Sequence, residues 1–530
     1  MSKNNFFDRR SYLETLNKRI LGLKEGYRQN IAIIGDELVG KTSIIFNLLY
    51  KTYDTRINFL YLEMRPESIA SFARRFIAIL LYNFLSNSGL PLKEDLDFLI
   101  LKSERYIPNT VDKIRQILNS LKKQKKNSVF TELLNLCESM YHETGKHCVV
   151  IMDEFQNVEC LGIKNIYREW SKLLILQKKT MYIIVSSMKY KTRTILSKDL
   201  SLLFGNFEVI NVEPFDITTS EKYLEQQLRQ VNISKGWQNF IVHFTGGYPL
   251  YLGVIAQELL KVNRRSLADI LEGLLFDSSG MLNQRFSTYL KRFSYGPSSN
   301  DYISILYMFA SGRNKIKDIA QAMNKSLQQL MPRINRLMET DTLTRNGDFL
   351  KVNDRVFGFW LRFVYQERSQ SLSFDAKSQK SRFRDNIEDL IQEFLNNNQK
   401  TISERVTELM RLFDDDTLQF EKRKMKLEHF REIKPLELNI GNLRQGLIGR
   451  SNDSVWIVAF KTEPLTEEEI AAFSRECRKF RHKLQRKIIV TLKDIDSNAR
   501  LKAMEEKVWT WDINNLNNFM DLFSKPRVIA

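Results

Sequence analysis

Residues 31–46 read Ile-Ala-Ile-Ile-Gly-Asp-Glu-Leu-Val-Gly-Lys-Thr-Ser-Ile-Ile-Phe, and no other stretch narrows the possible folds as much. Residues 31–34 form a short apolar, mostly β-branched run, as a buried strand requires. Four residues separate Gly35 from Gly40-Lys41-Thr42, and apolar residues then recur at 44, 45, 48 and 49 with helical spacing. Strand, G-x-x-x-x-G-K-[S/T], helix is a P-loop. The glycines let backbone N–H groups turn inward around phosphate oxygens, and the helix start adds the positive end of its dipole. Gly35, Asp36, Glu37, Leu38, Val39, Gly40, Lys41, Thr42 and Ser43 are therefore the candidate nucleotide-binding residues. Lys41 is expected to reach the β- and γ-phosphates and Thr42 to hold Mg²⁺.

A second signal lies about a hundred residues on. Residues 148–154 read Cys-Val-Val-Ile-Met-Asp-Glu, an apolar strand that ends in two acids. That is a Walker B pattern: Asp153 for Mg²⁺ and Glu154 to polarise the attacking water. Lys41, Asp153 and Glu154 are the catalytic candidates, and ATP with Mg²⁺ the expected cofactors. No [Asn/Thr]-Lys-x-Asp guanine motif stands in a suitable loop, which argues against a GTPase.

At 530 residues the chain has room for roughly three domains. Its 43% hydrophobic and 27% charged residues are globular values, which excludes a disordered chain. No apolar run near 18 residues is expected to span a membrane, and the N-terminus lacks a signal-peptide pattern. Cys137, Cys148, Cys160 and Cys477 have no metal or disulfide spacing, which fits free thiols in a reducing cytoplasm, with nucleoid association an option. The net charge of +18 favours a polyanionic partner, with DNA the first candidate.

Strands and helices alternate over 1–215, giving an α/β fold with a parallel sheet and the nucleotide at the strands' C-terminal ends. Residues 6–25 read as a helix, 58–64 as a strand, 67–85 as a helix and 91–128 as a mostly helical insertion whose lysine run (Lys122, Lys123, Lys125, Lys126) is a solvated face. Residues 180–187 and 207–212 are further strands. Residues 216–299 read as a helical lid. Residues 300–365 read as three helices and a hairpin with an Asn-Gly turn, a winged helix. Its third helix, 326–339, carries Gln328, Gln329, Arg333 and Arg336, with Pro332 expected to kink it near its start. With Arg345 and Lys351 on the wing, these are the candidate DNA-binding residues. The polar 366–384 stretch reads as a linker, and 385–530 as a separate α/β domain.

The whole resembles the archaeal-type ATPase family in the STAND/AAA+ branch of P-loop NTPases, which also resembles the origin-recognition ATPases. Phe6-Phe7-Asp8-Arg9-Arg10 is similar to the family's Phe-x-Gly-Arg-Glu element, which implies that Arg9 lies near nucleotide. Gly246-Gly247-Tyr248-Pro249 is similar to its lid motif, which implies Pro249 beside the adenine. Ser186-Ser187 lies where AAA-type ATPases keep a γ-phosphate sensor, so Ser187 takes that role. Residues 352–354 and 359–363 resemble the segment that closes the family's winged helix. Two departures stand out. Asp36 and Glu37 occupy positions that are usually basic, and Gly205-Asn206 replaces a Gly-Arg, so the resemblance implies slow hydrolysis or an arginine from a partner, with Arg193 as a substitute. The 385–530 order resembles a restriction-endonuclease-like domain. Its acid position holds Ala459 before Phe460-Lys461, and with only Asp453 and Glu404 left over, nuclease activity is not expected.

Two readings stay open: an ATP-driven switch acting on DNA, and a STAND-type scaffold that assembles with itself or a protein partner with little turnover.

Overall fold

The structure is a computed structural model that describes residues 6–529 apart from 53, 87–92, 123–127, 201–206, 232, 262–265, 295–298, 371–374, 421–422, 442, 481–482 and 494. Pro91, Lys123, Lys125, Lys126 and the Gly205-Asn206 pair lie outside the described residues. The chain divides into two compact units. The first holds Met1–Phe215 with Tyr248–Leu250 and Glu339–Asp341, and the second holds the rest.

The first unit is built on five strands: β1 (Asn30–Ile34), β2 (Ile57–Glu63), β3 (His147–Asp153), β4 (Thr180–Ser186) and β5 (Phe207–Asn211). All pairings are parallel, in the order β2-β3-β4-β1-β5. β1, β3 and β4 are buried throughout, which is why each reads as a nearly unbroken apolar run. β5, at one edge, is only partly covered and carries polar residues. Register then positions the chemistry. Ile34 pairs with both Ser186 and Asn211, and Glu63 pairs with Asp153, so the residues after these strands emerge at one edge of the sheet.

Helix Ile69–Ser86 buries Phe72, Phe76, Leu80 and Phe84 in the main apolar core, where Phe72 stacks on Phe130 and Phe130 meets Trp170 edge-on. The 18 residues of this helix have a mean hydropathy of 1.3, long and apolar enough to cross a membrane by length and composition, with half of the window buried in the fold. Arg74 and Arg75 sit within it, and Arg75 pairs with Glu67.

In the second unit, helices Ser299–Ala310, Ile316–Ala322 and Leu327–Glu339 precede a hairpin of β6 (Leu343–Asn346) and β7 (Phe349–Val352). Asn346 pairs with Phe349, so the two turn residues are Gly347 and Asp348 rather than Asn-Gly. Only Gly347 has a positive φ, +63°, the pattern of a II′ turn. Pro332 is accommodated inside the third helix. Asp354 caps the next helix, Arg355–Trp360, by accepting the Phe357 N–H at 3.0 Å.

The described parts of the expected linker are largely helical. Gln366–Gln370 is helical, and Ala376–Gln399 is a 24-residue helix whose start lies inside 366–384. Phe383 is buried against Phe276, and Lys380 reaches Glu272 at 2.8 Å.

The C-terminal part of the second unit, expected as a separate domain, pairs β8 (Asp416–Phe420) with β9 (Arg423–Leu427), then builds a second sheet from β10 (Glu432–Ile440), β11 (Leu443–Arg450), β12 (Val455–Lys461), β13 (Leu484–Thr491) and β14 (Trp509–Trp511). β10, β11 and β12 run antiparallel; β12, β13 and β14 run parallel. Pro435, Gly446 and Gly449 disguised β10 and β11 in the sequence. Pro435 is tolerated because β10 is the outer strand of its sheet.

The hairpin β6–β7, expected as a wing, is packed against the residues that follow it. Phe349 is fully buried in the same apolar cluster as Phe413, Leu418, Trp456 and Phe519. The Asp348 N–H donates to Thr417 O and the Thr417 N–H to Asp348 Oδ2, each at 2.8 Å. The Lys351 ammonium lies 2.6 Å from the buried Asp521 carboxylate, which also takes Arg355 and Arg527. An intramolecular carboxylate therefore already takes the charge of Lys351, one of the residues expected at DNA.

Candidate nucleotide site

At the C-terminal end of β1 the backbone leaves the sheet through Gly35. A Cβ there would lie 2.2 Å from Val212 O, so only glycine lets the chain pass β5 at this distance. Leu38 and Gly40 have φ of +69° and +93°, and helix Lys41–Lys51 starts directly after Gly40. Left-handed residues just ahead of a helix start make a concave nest of N–H groups.

Lys41 is buried, and its ammonium donates to Gly35 O at 2.9 Å and Asp36 O at 2.6 Å. The loop carbonyls hold the position where phosphate oxygens would accept. Burial lowers the Lys41 pKa, opposed by Glu154, Asp153, Asp36 and Glu37. Thr42 Oγ1 donates to Asp153 Oδ2 at 2.9 Å. Tyr61 OH donates to the same oxygen at 2.9 Å, and burial, then Asp153, push the Tyr61 pKa upward. A hydroxyl and a carboxylate oxygen this close are a fitting donor pair for a hard cation such as Mg²⁺.

Glu154 sits in the left-handed region, φ +51°, directly after β3. Its carboxylate accepts from Gln156 Nε2 and, at 3.4 Å, from Ser187 Oγ. Burial is the main cause that raises its pKa, as suits a proton acceptor. Ser186, level with Ile34, holds Gln156 in place through a 2.6 Å hydrogen bond.

Arg9 is buried beneath the loop. It donates to Val39 O at 3.3 Å and Glu213 O at 2.5 Å, with its guanidinium 4.7 Å from the centre of the Phe215 ring. It ties the loop to the segment that follows β5. Pro249 opens helix Pro249–Lys261, and residues Tyr248–Leu250 cluster with this unit. Arg193 donates to Asn211 Oδ1 at 2.8 Å.

Four residues at this site were not anticipated. Tyr61 and Gln156 orient the two acids. Lys189 pairs with Asp36 at 2.7 Å. Asp341, 151 residues away in the chain, accepts the Tyr190 N–H at 3.2 Å. Burial raises the Asp341 pKa to about 6. A lysine soon after the Ser186-Ser187 strand end is visible in the sequence; the approach of Asp341 has no local signal.

No family model and no curated protein matches the chain. Among solved structures, the Walker-type ATPase PABY2304 of Pyrococcus abyssi matches with a TM-score of 0.50 at 19% identity, over 68% of this chain and 97% of that one. The chain has the fold of an archaeal Walker-type ATPase. Looser likenesses are the Aeropyrum pernix ORC2 protein, 11% identical with a TM-score of 0.37 over 74% and 96%, and Cdc6p of Pyrobaculum aerophilum, 13% identical with a TM-score of 0.32 over 73% and 97%. Open parallel sheets bind ligands outside the carboxyl ends of their strands, the edge that here carries Gly35, Asp153 and Ser186.

The other candidate residues are more scattered. Gln328, Gln329 and Arg336 are exposed on helix Leu327–Glu339. Arg333 is shared between Asp301, at 3.1 Å, and Gln329 O, at 2.7 Å. Arg345 donates to Gly347 O at 2.9 Å. In the C-terminal part Ala459 is buried, Lys461 pairs with Glu469 at 2.7 Å, and the Glu404 carboxylate caps its own helix by accepting from Thr401.

Proposed function

We propose that this chain is an ATP-binding, Mg²⁺-dependent ATPase that works as a switch on DNA inside the cell. The observation that carries the reading is the convergence of Lys41, Thr42, Asp153 and Glu154 at one edge of the parallel sheet, with Thr42 Oγ1 and Asp153 Oδ2 2.9 Å apart. The loop N–H groups and Lys41 bind the phosphates; Thr42 and Asp153 hold Mg²⁺, which when bound neutralises phosphate charge. Glu154 orients water and accepts its proton, while Ser187 and Gln156 hold its carboxylate in place. Arg9 acts by fixing the loop, and Pro249 borders the base. DNA contact falls to helix Leu327–Glu339 through Gln328, Gln329 and Arg336, with a lesser part for Arg333 and Arg345. The mixed sheet of the C-terminal part suits a nuclease-like module without activity, since Glu404 serves as a helix cap and Lys461 as the partner of Glu469.

The test is nucleotide titration with turnover. Lys41→Ala is expected to abolish ATP binding. Glu154→Gln is expected to keep binding and to lower turnover by about 10²–10⁴-fold, the usual contribution of a general base. Unchanged binding and turnover in Lys41→Ala would sink the proposal.

One observation favours the scaffold as second reading. The Glu154 carboxylate is already engaged by Gln156 and Ser187, and Arg193 is occupied by Asn211, which suits slow turnover unless a partner supplies an arginine. Nucleotide-dependent growth in mass by light scattering, without DNA affinity, would select it.

A further inference from the structure

The P-loop of this chain is unusual in its charge. Asp36 and Glu37 stand inside the loop, and with Asp153 and Glu154 they put four carboxylates around the single ammonium of Lys41. A triphosphate adds further negative charge to the same place. Unless some of this charge is held elsewhere, Coulomb repulsion across a few ångströms opposes binding.

Lys189 meets that need. It is the first residue of helix Lys189–Lys198, directly beyond the Ser186-Ser187 end of β4. Its ammonium lies 2.7 Å from Asp36 Oδ1, with both side chains partly buried, 28% and 19% exposed, so solvent screens the pair less than a surface one. The helix that carries Lys189 receives no cap from its own N-cap residue, Met188, and has no acid in its first turn. A carboxylate distant in sequence supplies what is missing: Asp341 accepts the Tyr190 N–H, and the Lys189 charge acts on it. Lys189 thus has the Asp36 carboxylate in direct contact and the Asp341 carboxylate nearby, all three within the first compact unit.

We infer that Lys189 is a positioning residue for nucleotide: by binding the Asp36 carboxylate it keeps that charge out of the phosphate cradle, while Asp341 anchors the helix start that presents the lysine. The inference rests on the ATP-binding reading and deepens it. Lys189 acts through Asp36 and not by touching phosphate, which separates it from Lys41. The consequence is a loop whose affinity depends on a residue outside its own motif.

The experiment is a double-mutant cycle on the full chain, with mant-ATP and Mg²⁺ as the probe and thermal melting as the check on folding. Lys189→Met is expected to weaken mant-ATP binding by roughly tenfold, the scale of a close charge left uncompensated near a polyanion. Asp36→Asn alone is expected to bind at least as well as the parent chain. The double variant Asp36→Asn/Lys189→Met is expected to recover affinity to within about threefold of the parent, because no carboxylate is left to control. Lys189→Arg, which keeps the charge, is expected to stay close to the parent. Unweakened binding in Lys189→Met overturns the inference, and so does a double variant as weak as Lys189→Met, which would make the lysine a direct phosphate contact. If the folded parent chain binds no mant-ATP at all, the ATP-binding reading falls and takes this inference with it.

Discussion

Single residues decide whether the loop can form and how it responds to pH. Gly35 lies against Val212 O with no room for a methyl group. Gly35→Ala is therefore expected to lower stability by about 1–3 kcal/mol, the range for forced overpacking, read from the urea midpoint. Asp341 gives a pH signature. Its pKa rises from 3.8 to about 6 because it is buried, with Asp36 adding to the rise and Lys189 and the Tyr190 N–H opposing it. The folded state then holds this proton more tightly than the unfolded one. The associated stability is full below about pH 4 and lost as pH rises through about 6. The melting temperature of the parent chain minus that of Asp341→Asn is accordingly expected to fall between pH 4 and pH 7. A flat difference would show that the carboxyl does not titrate in that window.

At the scale of elements, the hairpin β6–β7 is the instructive case. An amphipathic hairpin after three helices reads as a wing for DNA, yet Phe349 is fully buried among residues of the C-terminal part. Phe349→Ala is expected to cost about 3–5 kcal/mol, as for other large core truncations, and to lower the unfolding midpoint of the C-terminal part with it. A wing standing free would lose almost nothing. The same packing explains why Lys351 belongs to Asp521. Lys351→Ala is expected to leave DNA affinity within about twofold, whereas Arg336→Ala, on the exposed face of helix Leu327–Glu339, is expected to reduce the slope of log affinity against log salt by about 1. Fluorescence anisotropy across a salt series reads both.

For the whole molecule the net charge of +18 sets the expectation. DNA binding, measured with ATP, with ADP and with neither, is expected to fall steeply with salt through counterion release and to differ between nucleotide states. Absence of binding at physiological salt in every state would leave the scaffold reading in front. Helix Ile69–Ser86 shows at this scale why composition needs context: it has the hydropathy of a membrane span but supplies the core between the sheet and helix Val129–Thr144.

The sequence by itself determined the sheet of the first unit and the loop that leaves it. Residues 31–34, 148–153 and 180–186 are buried on both faces and so had to be continuous apolar runs, and the glycine and Lys-Thr spacing of the P-loop is set by local backbone geometry. Helices with an apolar stripe were equally legible, for the same local reason. Tertiary structure alone decided what pairs with what. Asp36 with Lys189, Asp341 with the Tyr190 N–H and Lys351 with Asp521 are contacts between residues 151 to 170 positions apart, and Phe349 lies in a core built by residues far along the chain, where no periodicity carries information. β10 and β11 escaped notice because an outer strand tolerates Pro435 and a close-packed one needs Gly446 and Gly449, residues that in isolation signal turns. The linker became a helix because burying Phe383 against Phe276 outweighs the weak helix preference of a serine-rich stretch, an energy that exists only once the partner surface is in place.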